Sequence, residues 1–239
     1  MSVRRVLNGF LRPFGYKVAK FTPEADMEPE IHHGFTLYNY RTEDGKFDYE
    51  KYRQIQTEGN KKKIDRVWVQ EENIDFLSRY IAERIGTPQF GICHGTRRGL
   101  EQSWFGARLK CKVIGTEISD TAAQFPNTIQ WDFHEVKQEW VGAVDFIYSN
   151  SFDHSYDPEK CINAWMSCVK PGGLCILEHS SGHAPSRASS LDPFGADLRQ
   201  MPYLISIWGK GAFCVREILQ APFKRPDLAY SYFIVIHKF

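Results

Sequence analysis

The stretch QFGICHGTRRGLEQSWFGARLKCKVIGTE, Gln89–Glu117, reads as strand, loop, helix and strand in succession. Gln89–Cys93 is a short apolar run of the length of a buried strand. Cys93-His94-Gly95-Thr96-Arg97-Arg98-Gly99 follows as a loop whose glycines allow a tight turn and close approach of a ligand to the backbone. Leu100–Leu109 is predicted as a helix, and Val113–Thr116 as a second strand ending at Glu117. Two strands joined by a crossover helix form the unit of a parallel sheet.

The same alternation continues on both sides. Upstream, Ile74, Leu77, Ile81 and Ile85 recur at helical spacing with Asp75, Arg79 and Glu83 off the stripe, and Gly86 and Pro88 stop the helix. Downstream, residues 122–125 predict a short helix, Thr128–Trp131 a third strand ending at Asp132, and Val144–Ser149 a fourth. Pro158–Val169 predicts a helix, with Pro171-Gly172-Gly173 beyond its end, and Leu174–Glu178 a fifth strand. Residues 180–212, rich in Ser, Gly and Pro, read as a partly helical insertion; Phe213–Leu219 and Tyr230–His237 are the last elements. The expected fold is α/β, a doubly wound, mostly parallel seven-stranded sheet with helices on both faces. We expect this domain to span residues 71–239. Residues 1–70 form an extension, with a helical face of Val6, Phe10, Leu11 and Phe14, a weak strand at Phe35–Asn39 and a tyrosine cluster at Tyr38, Tyr40, Tyr49 and Tyr52.

Composition excludes several classes. With 30 basic and 29 acidic residues the formal charge is +1, so a global nucleic-acid footprint is absent. The six cysteines, Cys93, Cys111, Cys161, Cys168, Cys175 and Cys214, include no CxxC pair and predict free thiols in a reducing, cytoplasmic setting. The basic start Met1-Ser2-Val3-Arg4-Arg5 lacks the long apolar run of a signal peptide, and no stretch reaches 18 continuous apolar residues. Weak peripheral membrane contact through the first helix is the most that is expected there.

Parallel sheets bind ligands beyond the carboxyl ends of their strands, which selects the loops to inspect. The Cys93–Gly99 loop lacks the Lys-Ser/Thr pair of a phosphate loop and the spacing of a dinucleotide GxGxxG loop. Glu117, about 20 residues further on, can accept hydrogen bonds from both hydroxyls of a ribose, and Ile118 can wall a purine. Asp132 can accept from an exocyclic purine amine, with Phe133 or Trp131 against the ring. Asn150 and Ser151 suit an ammonium or carboxylate. His154, His179 and His183, in the loops after strands four and five, are the candidate general bases. Asp153, His154, His179 and His183 could also approach a metal, but no zinc spacing is present and we expect none.

Taken together, residues 72–239 resemble the class I S-adenosylmethionine-dependent methyltransferase family. Asp145-Phe146-Ile147-Tyr148-Ser149-Asn150-Ser151-Phe152-Asp153-His154, followed by a helix and Val169-Lys170-Pro171-Gly172-Gly173-Leu174, carries the resemblance. The resemblance implies S-adenosylmethionine as cofactor. It places the loop residues Cys93, His94, Gly95, Thr96 and Arg97 around the methionyl part, Glu117 and Ile118 at the ribose, and Asp132 and Phe133 at the adenine. Ser149 and Asn150 would then face the amino-acid tail, and the last strand would insert antiparallel beside strand six. The chain departs from the family's acid-x-Gly-x-Gly-x-Gly loop: Gly91 stands at the acid, Cys93 at the first glycine and Arg97 at the third, so Glu101 or Asp145 would have to compensate. The expected acceptor is a polar small molecule, a sugar or a glycolipid, above strands four and five, with Arg187, Arg199, Tyr203 and Trp208 as candidate contacts. The competing expectations are an RNA or protein methyltransferase, a catalytically silent cofactor-binding protein and, least favoured, a nicotinamide-dependent oxidoreductase.

Overall fold

The computed structural model describes residues 27–42 and 44–239. The helical face of Val6, Phe10, Leu11 and Phe14 lies outside the described residues. The chain runs β1 (Pro29–His32), β2 (Phe35–Tyr38), α1 (Tyr49–Lys62), α2 (Glu71–Ile85), β3 (Phe90–His94), α3 (Leu100–Leu109), β4 (Lys112–Glu117), β5 (Thr128–Gln130), β6 (Val144–Ser149), α4 (Pro158–Cys168), β7 (Val169–Ser180), β8 (Phe194–Ala196), α5 (Met201–Gly209), β9 (Phe213–Gln220) and β10 (Ser231–Lys238). A 3₁₀ turn, Asp120–Gln124, stands where the sequence predicts the short helix near residue 122.

Seven strands form one sheet in the order β5-β4-β3-β6-β7-β10-β9. β3, β4, β5, β6 and β7 pair in parallel, and β10 inserts antiparallel between β7 and β9, as the sequence predicts. Successive residues of a strand face opposite sides of a sheet, and here the two sides are two cores. Ile92, Ile147, Cys175, Leu177, Ile234 and Ile236 face one side, with Trp165 of α4 and Leu204 of α5. Cys93, Phe146, Tyr148, Ile176, Phe233 and Val235 face the other, with Leu77 of α2 and Phe105 of α3. Burial on both faces explains why these strands read as continuous apolar runs rather than alternating ones.

Local chemistry ends the elements where the sequence marks them. α2 stops at Gly86, whose φ is 75°. α4 starts at Pro158 after Asp157, whose side chain accepts from the Lys160 amide. The Lys-Pro-Gly-Gly turn differs from expectation. β7 already begins at Val169, which pairs with Val144, and the register resumes at Leu174 opposite Phe146, so residues 170–173 form an irregularity within the strand.

The departures from the family loop have a packing cause at Gly91. A Cβ there would stand 2.3 Å from the ring of Phe146, which is fully buried. No acid fits at this position. Gly91→Ala is expected to cost about 1–3 kcal/mol by overpacking, lowering Tm by roughly 2–10 °C for a chain of this length. Thermal unfolding of the variant measures it; an unchanged Tm would contradict the tight contact.

β1, β2 and β8 form a second, antiparallel sheet. The N-terminal extension and the 180–212 insertion, which read as separate in sequence, are therefore joined by backbone pairing. Among the described residues no helix is long and apolar enough to cross a membrane.

Candidate functional site

The carboxyl ends of β3, β4 and β6 lie side by side, and their loops open two adjoining cavities. One is a cleft of about 550 Å³, bordered by Thr96, Arg97, Glu101, Asn150, Asp153 and His154. The other is a slot of about 50 Å³, bordered by Glu117, Ile118, Asp132, Phe133, Tyr52 and Gln56. Gly95, Arg97, Ser151, His154 and Lys63 border both, so the slot opens into the cleft. Together they fall in the size range of small-molecule sites, roughly 300–1,000 Å³.

The Cys93–Gly99 loop turns sharply. Gly95 and Gly99 have φ of 73° and 72°. A Cβ on Gly95 would stand 2.6 Å from that of Ser151, so the turn requires glycine for space as well as for φ. The amides of Gly95 and Thr96 both donate to Thr116 O, at 2.9 and 3.1 Å, and that of Gly99 donates to Thr96 O at 2.8 Å. These amides are spent within the protein and do not form a phosphate cradle. Glu101, in the first turn of α3, is itself an acid at the helix N-terminus where a phosphate would otherwise sit.

Side chains of the loop divide. Cys93 is fully buried in the α2–α3 core, and burial pushes its thiol up. His94 turns into the other side, stacked on Trp165 with centroids 4.6 Å apart, its Nδ1 2.8 Å from Thr116 Oγ1. Burial lowers it to about 3 and keeps it neutral. The expectation that residues 93–97 surround a ligand is therefore corrected for the side chains of Cys93 and His94, which pack inside the protein. Thr96 and Arg97 do border the cleft.

Glu117 and Asp132 converge on the slot from β4 and from the end of β5. Glu117 Oε1 accepts from the Ser119 amide at 3.0 Å, and burial raises its carboxyl. Asp132 Oδ1 accepts from the His134 amide at 2.9 Å and lies 2.7 Å from His134 Nδ1. Its other oxygen, Oδ2, is buried and lacks a hydrogen bond of good geometry, although the Tyr49 hydroxyl stands near. Burial opposes the ionised form of Asp132, but its bonds to His134 outweigh that and hold the carboxyl below its ordinary range. Phe133 borders the slot, whereas Trp131 packs on Trp140 outside it.

Ser149 Oγ donates to His94 O at 3.0 Å and accepts from the Ser151 amide at 3.0 Å. It locks the β3 and β6 loops together, and Asn150 is the residue of the pair that borders the cleft. Asp145 sits at the opposite end of the sheet. It accepts from the Gln89 and Phe90 amides at 2.8 and 2.9 Å and pairs with Lys170 at 2.9 Å. It cannot stand in for the missing loop acid.

The three histidines separate by tautomer and position. His154 Nδ1 is 2.8 Å from Gln56 Oε1, and Gln56 Nε2 donates to Leu191 O at 2.8 Å. The amide is thereby oriented with its oxygen toward the ring, so Nδ1 carries the proton and neutral His154 presents an Nε2 lone pair. That nitrogen lies 3.4 Å from Asp192 Oδ1. His183 is the reverse: Nδ1 accepts from the Ser180 amide at 3.1 Å, which leaves Nε2–H directed at Asp153 Oδ2, 3.7 Å away. His179 lies apart, bordering a void of about 10 Å³ with Phe194 and Met201, and burial lowers it to about 3. It does not border the cleft, which corrects its place among the candidate bases.

Asp153, His154 and Asp192 each bring one potential metal-ligand atom within 4.8 Å of the others. His183 Nε2–H faces Asp153 Oδ2, and His154 Nε2 pairs with Asp192 Oδ1 when the ring is protonated. Of the expected acceptor contacts, Arg187 borders the cleft, while Tyr203 is exposed elsewhere and Trp208 packs in the core. Tyr52 belongs to the tyrosine cluster seen in the sequence, whereas Gln56 and Asp192 were not foreseen. Gln56 lies 98 residues from His154 in the chain, and nothing local in sequence announces that pairing.

No family model matches this sequence, and no curated protein matches it. Solved structures do resemble the fold. The 1,6-didemethyltoxoflavin-N1-methyltransferase of Burkholderia thailandensis superposes with a TM-score of 0.62 at 13% identity, over 88% of this chain and 98% of that one. The plantazolicin methyltransferase BpumL gives 0.58 at 12% identity, over 79% and 95%. The N-methyltransferase NodS of Bradyrhizobium japonicum WM9 gives 0.57 at 12%, over 77% and 98%. All three were solved with S-adenosylhomocysteine. The chain has the fold of the S-adenosylmethionine-dependent methyltransferases, the family its sequence resembles.

Proposed function

We propose that the protein is an S-adenosylmethionine-dependent methyltransferase acting on a polar small molecule, a sugar or glycolipid acceptor among them. The observation that carries the proposal is the convergence of Glu117 and Asp132 on one slot beside the Gly95 turn. The slot offers Glu117 as an acceptor for a ribose diol and the Asp132 carboxylate as an acceptor for an amine. The chemistry beyond the slot distinguishes the tail of the nucleoside. A nicotinamide dinucleotide brings a pyrophosphate, but here the loop amides are used and buried carboxyls line the way. A cationic tail suits that environment.

Bound there, S-adenosylmethionine supplies an electrophilic methyl group on a sulfonium, which leaves as a neutral thioether. The chain's own tasks are alignment, exclusion of water and, for a hydroxyl acceptor, removal of a proton. His154 Nε2 would receive that proton. Asp192 steadies the resulting imidazolium. His183, with its proton on Nε2, serves to hold Asp153. The acceptor enters the wider cleft, where Lys63, Arg66 and Arg187 supply positive charge.

Incubation with methyl-labelled cofactor and fractionated small-molecule extract tests the proposal. Label in a small polar product supports it. Absence of adenosylhomocysteine binding, or label confined to RNA or protein, would overturn it.

A further inference from the structure

Three cations on the wider cleft lack the partners that their basic neighbours have. Lys63 follows the last turn of α1, its amide donating to Asn60 O at 3.0 Å, and the Arg66 amide donates to Lys63 O at 2.9 Å. This turn sets both residues on the cleft. Arg187 reaches the same cleft from the insertion, at the end of a 3₁₀ turn in which its amide donates to Ala184 O at 2.8 Å. Among the described residues none of the three side chains forms an ion pair or donates a hydrogen bond. Their neighbours do: Lys61 pairs with Asp120 at 2.8 Å, Arg98 with Asp65 at 3.9 Å and Arg225 with Asp227 at 2.9 Å.

We propose that the methyl acceptor is a phosphate monoester, its phosphoryl group held by Lys63, Arg66 and Arg187 and its hydroxyl presented to His154. The inference rests on the methyltransferase reading above and narrows the acceptor from a polar molecule to an anionic one. The acids of the cleft are engaged elsewhere or disfavoured as anions. Asp227 is held by Arg225, and Asp192 is turned to His154 Nε2, 3.4 Å away. Burial raises the Glu101 carboxyl to about 7, and it raises Asp153 against the nearby charges of His154 and Lys63. Burial also disfavours the charge on Arg97, and Arg66 beside it adds to that, so like charges crowd this side of the cleft.

Charge selects phosphate over carboxylate. A phosphate monoester carries about −1.5 to −2 at pH 7 on three acceptor oxygens, whereas a carboxylate brings one charge and two oxygens. The planar fork of an arginine matches phosphate oxygens in pairs, and a lysine adds a point charge. Cations supplied by two separate segments, the turn after α1 and the insertion, also fix where the anion sits. That fixes in turn which hydroxyl of the acceptor reaches His154, and alignment is the chief demand of a direct displacement.

Incubation of the protein with methyl-labelled cofactor and small-molecule extract, with and without prior treatment of the extract by alkaline phosphatase, tests the acceptor. Phosphatase is expected to abolish labelling, and the product formed without it should bind an anion exchanger until phosphatase releases it. A labelled product that is neutral, or that phosphatase leaves unchanged, overturns the assignment and leaves the methyltransferase reading standing. Arg66→Gln and Arg187→Gln should each raise KM for the labelled acceptor by about tenfold, the loss of one charge-assisted contact, with kcat within about threefold. Neither residue borders the slot, so adenosylhomocysteine affinity should stay within about twofold, which also verifies folding. Arg199→Gln removes the same charge from a residue that does not border the cleft and should leave KM unchanged; equal rises in all three variants overturn the site. Calorimetric titration of inorganic phosphate into the free and the adenosylhomocysteine-bound protein needs no turnover. Phosphate should bind the wild type at least tenfold more tightly than the double variant Arg66→Gln/Arg187→Gln, and equal binding to both, or none to the wild type, overturns the site. Failure of the wild type to bind adenosylhomocysteine overturns the methyltransferase reading and the acceptor role with it, whatever phosphate does.

Discussion

Glu117→Ala is expected to weaken adenosylhomocysteine binding by roughly 10²–10⁴-fold while leaving the free protein folded. The magnitude follows from two hydrogen bonds to an ionised acceptor, about 1.5–3 kcal/mol each, at 1.4 kcal/mol per decade of affinity. Glu117 is 6% exposed at the end of β4 and stands on the slot with Asp132 and Gly95. The Ser119 amide donates to its Oε1, and the Arg97 and Ile118 amides also approach its carboxyl. Burial raises its carboxyl in the empty protein, so ionising it there carries a cost that a bound diol offsets. Removing the side chain removes that cost as well, and a collapse of Tm is not expected. Calorimetry and a melting curve on the same preparation separate the two effects. Affinity within threefold of the wild type would reject the ribose role.

The fold was legible because its strands are buried on both faces. Runs such as Val144–Ser149 suit a parallel sheet between two helical layers, and the bounds of that one emerged unchanged. The acids at the strand ends were legible for a related reason: a carboxylate immediately after an apolar run stands at the sheet edge whatever the surrounding packing. What stayed hidden depends on contacts between distant segments. β8 is three residues long and exists by pairing with β2, 157 to 161 residues away in the register Phe35↔Ala196 to Leu37↔Phe194. The orientation of His94 could not be read either. Its neighbours Cys93 and Gly95 mark the turn, but only the stacking on Trp165 of α4 shows that the ring is a core residue. The same holds for the three candidate bases, which sequence treats alike and hydrogen bonding separates.

That separation makes the second prediction specific to one residue. His154→Ala is expected to lower kcat by about 10²–10⁴-fold, the range for loss of a positioned general base, with adenosylhomocysteine affinity within about threefold. The ring borders both cavities, and its Nε2 is the nitrogen left without a proton by the Gln56 contact. Gln56→Leu should therefore lower kcat as well, by about tenfold, because it frees the ring to carry its proton on Nε2. Its effect should nearly vanish in a His154→Ala background, since a residue that acts through the imidazole has nothing to orient once the imidazole is gone. His183→Ala, removing a ring whose Nε2 already bears hydrogen, should change kcat much less than His154→Ala does. The cycle is measured as single-turnover rates at saturating cofactor. Additive losses for Gln56 and His154, or an equal loss on replacing His183, would take the proton-accepting role away from His154.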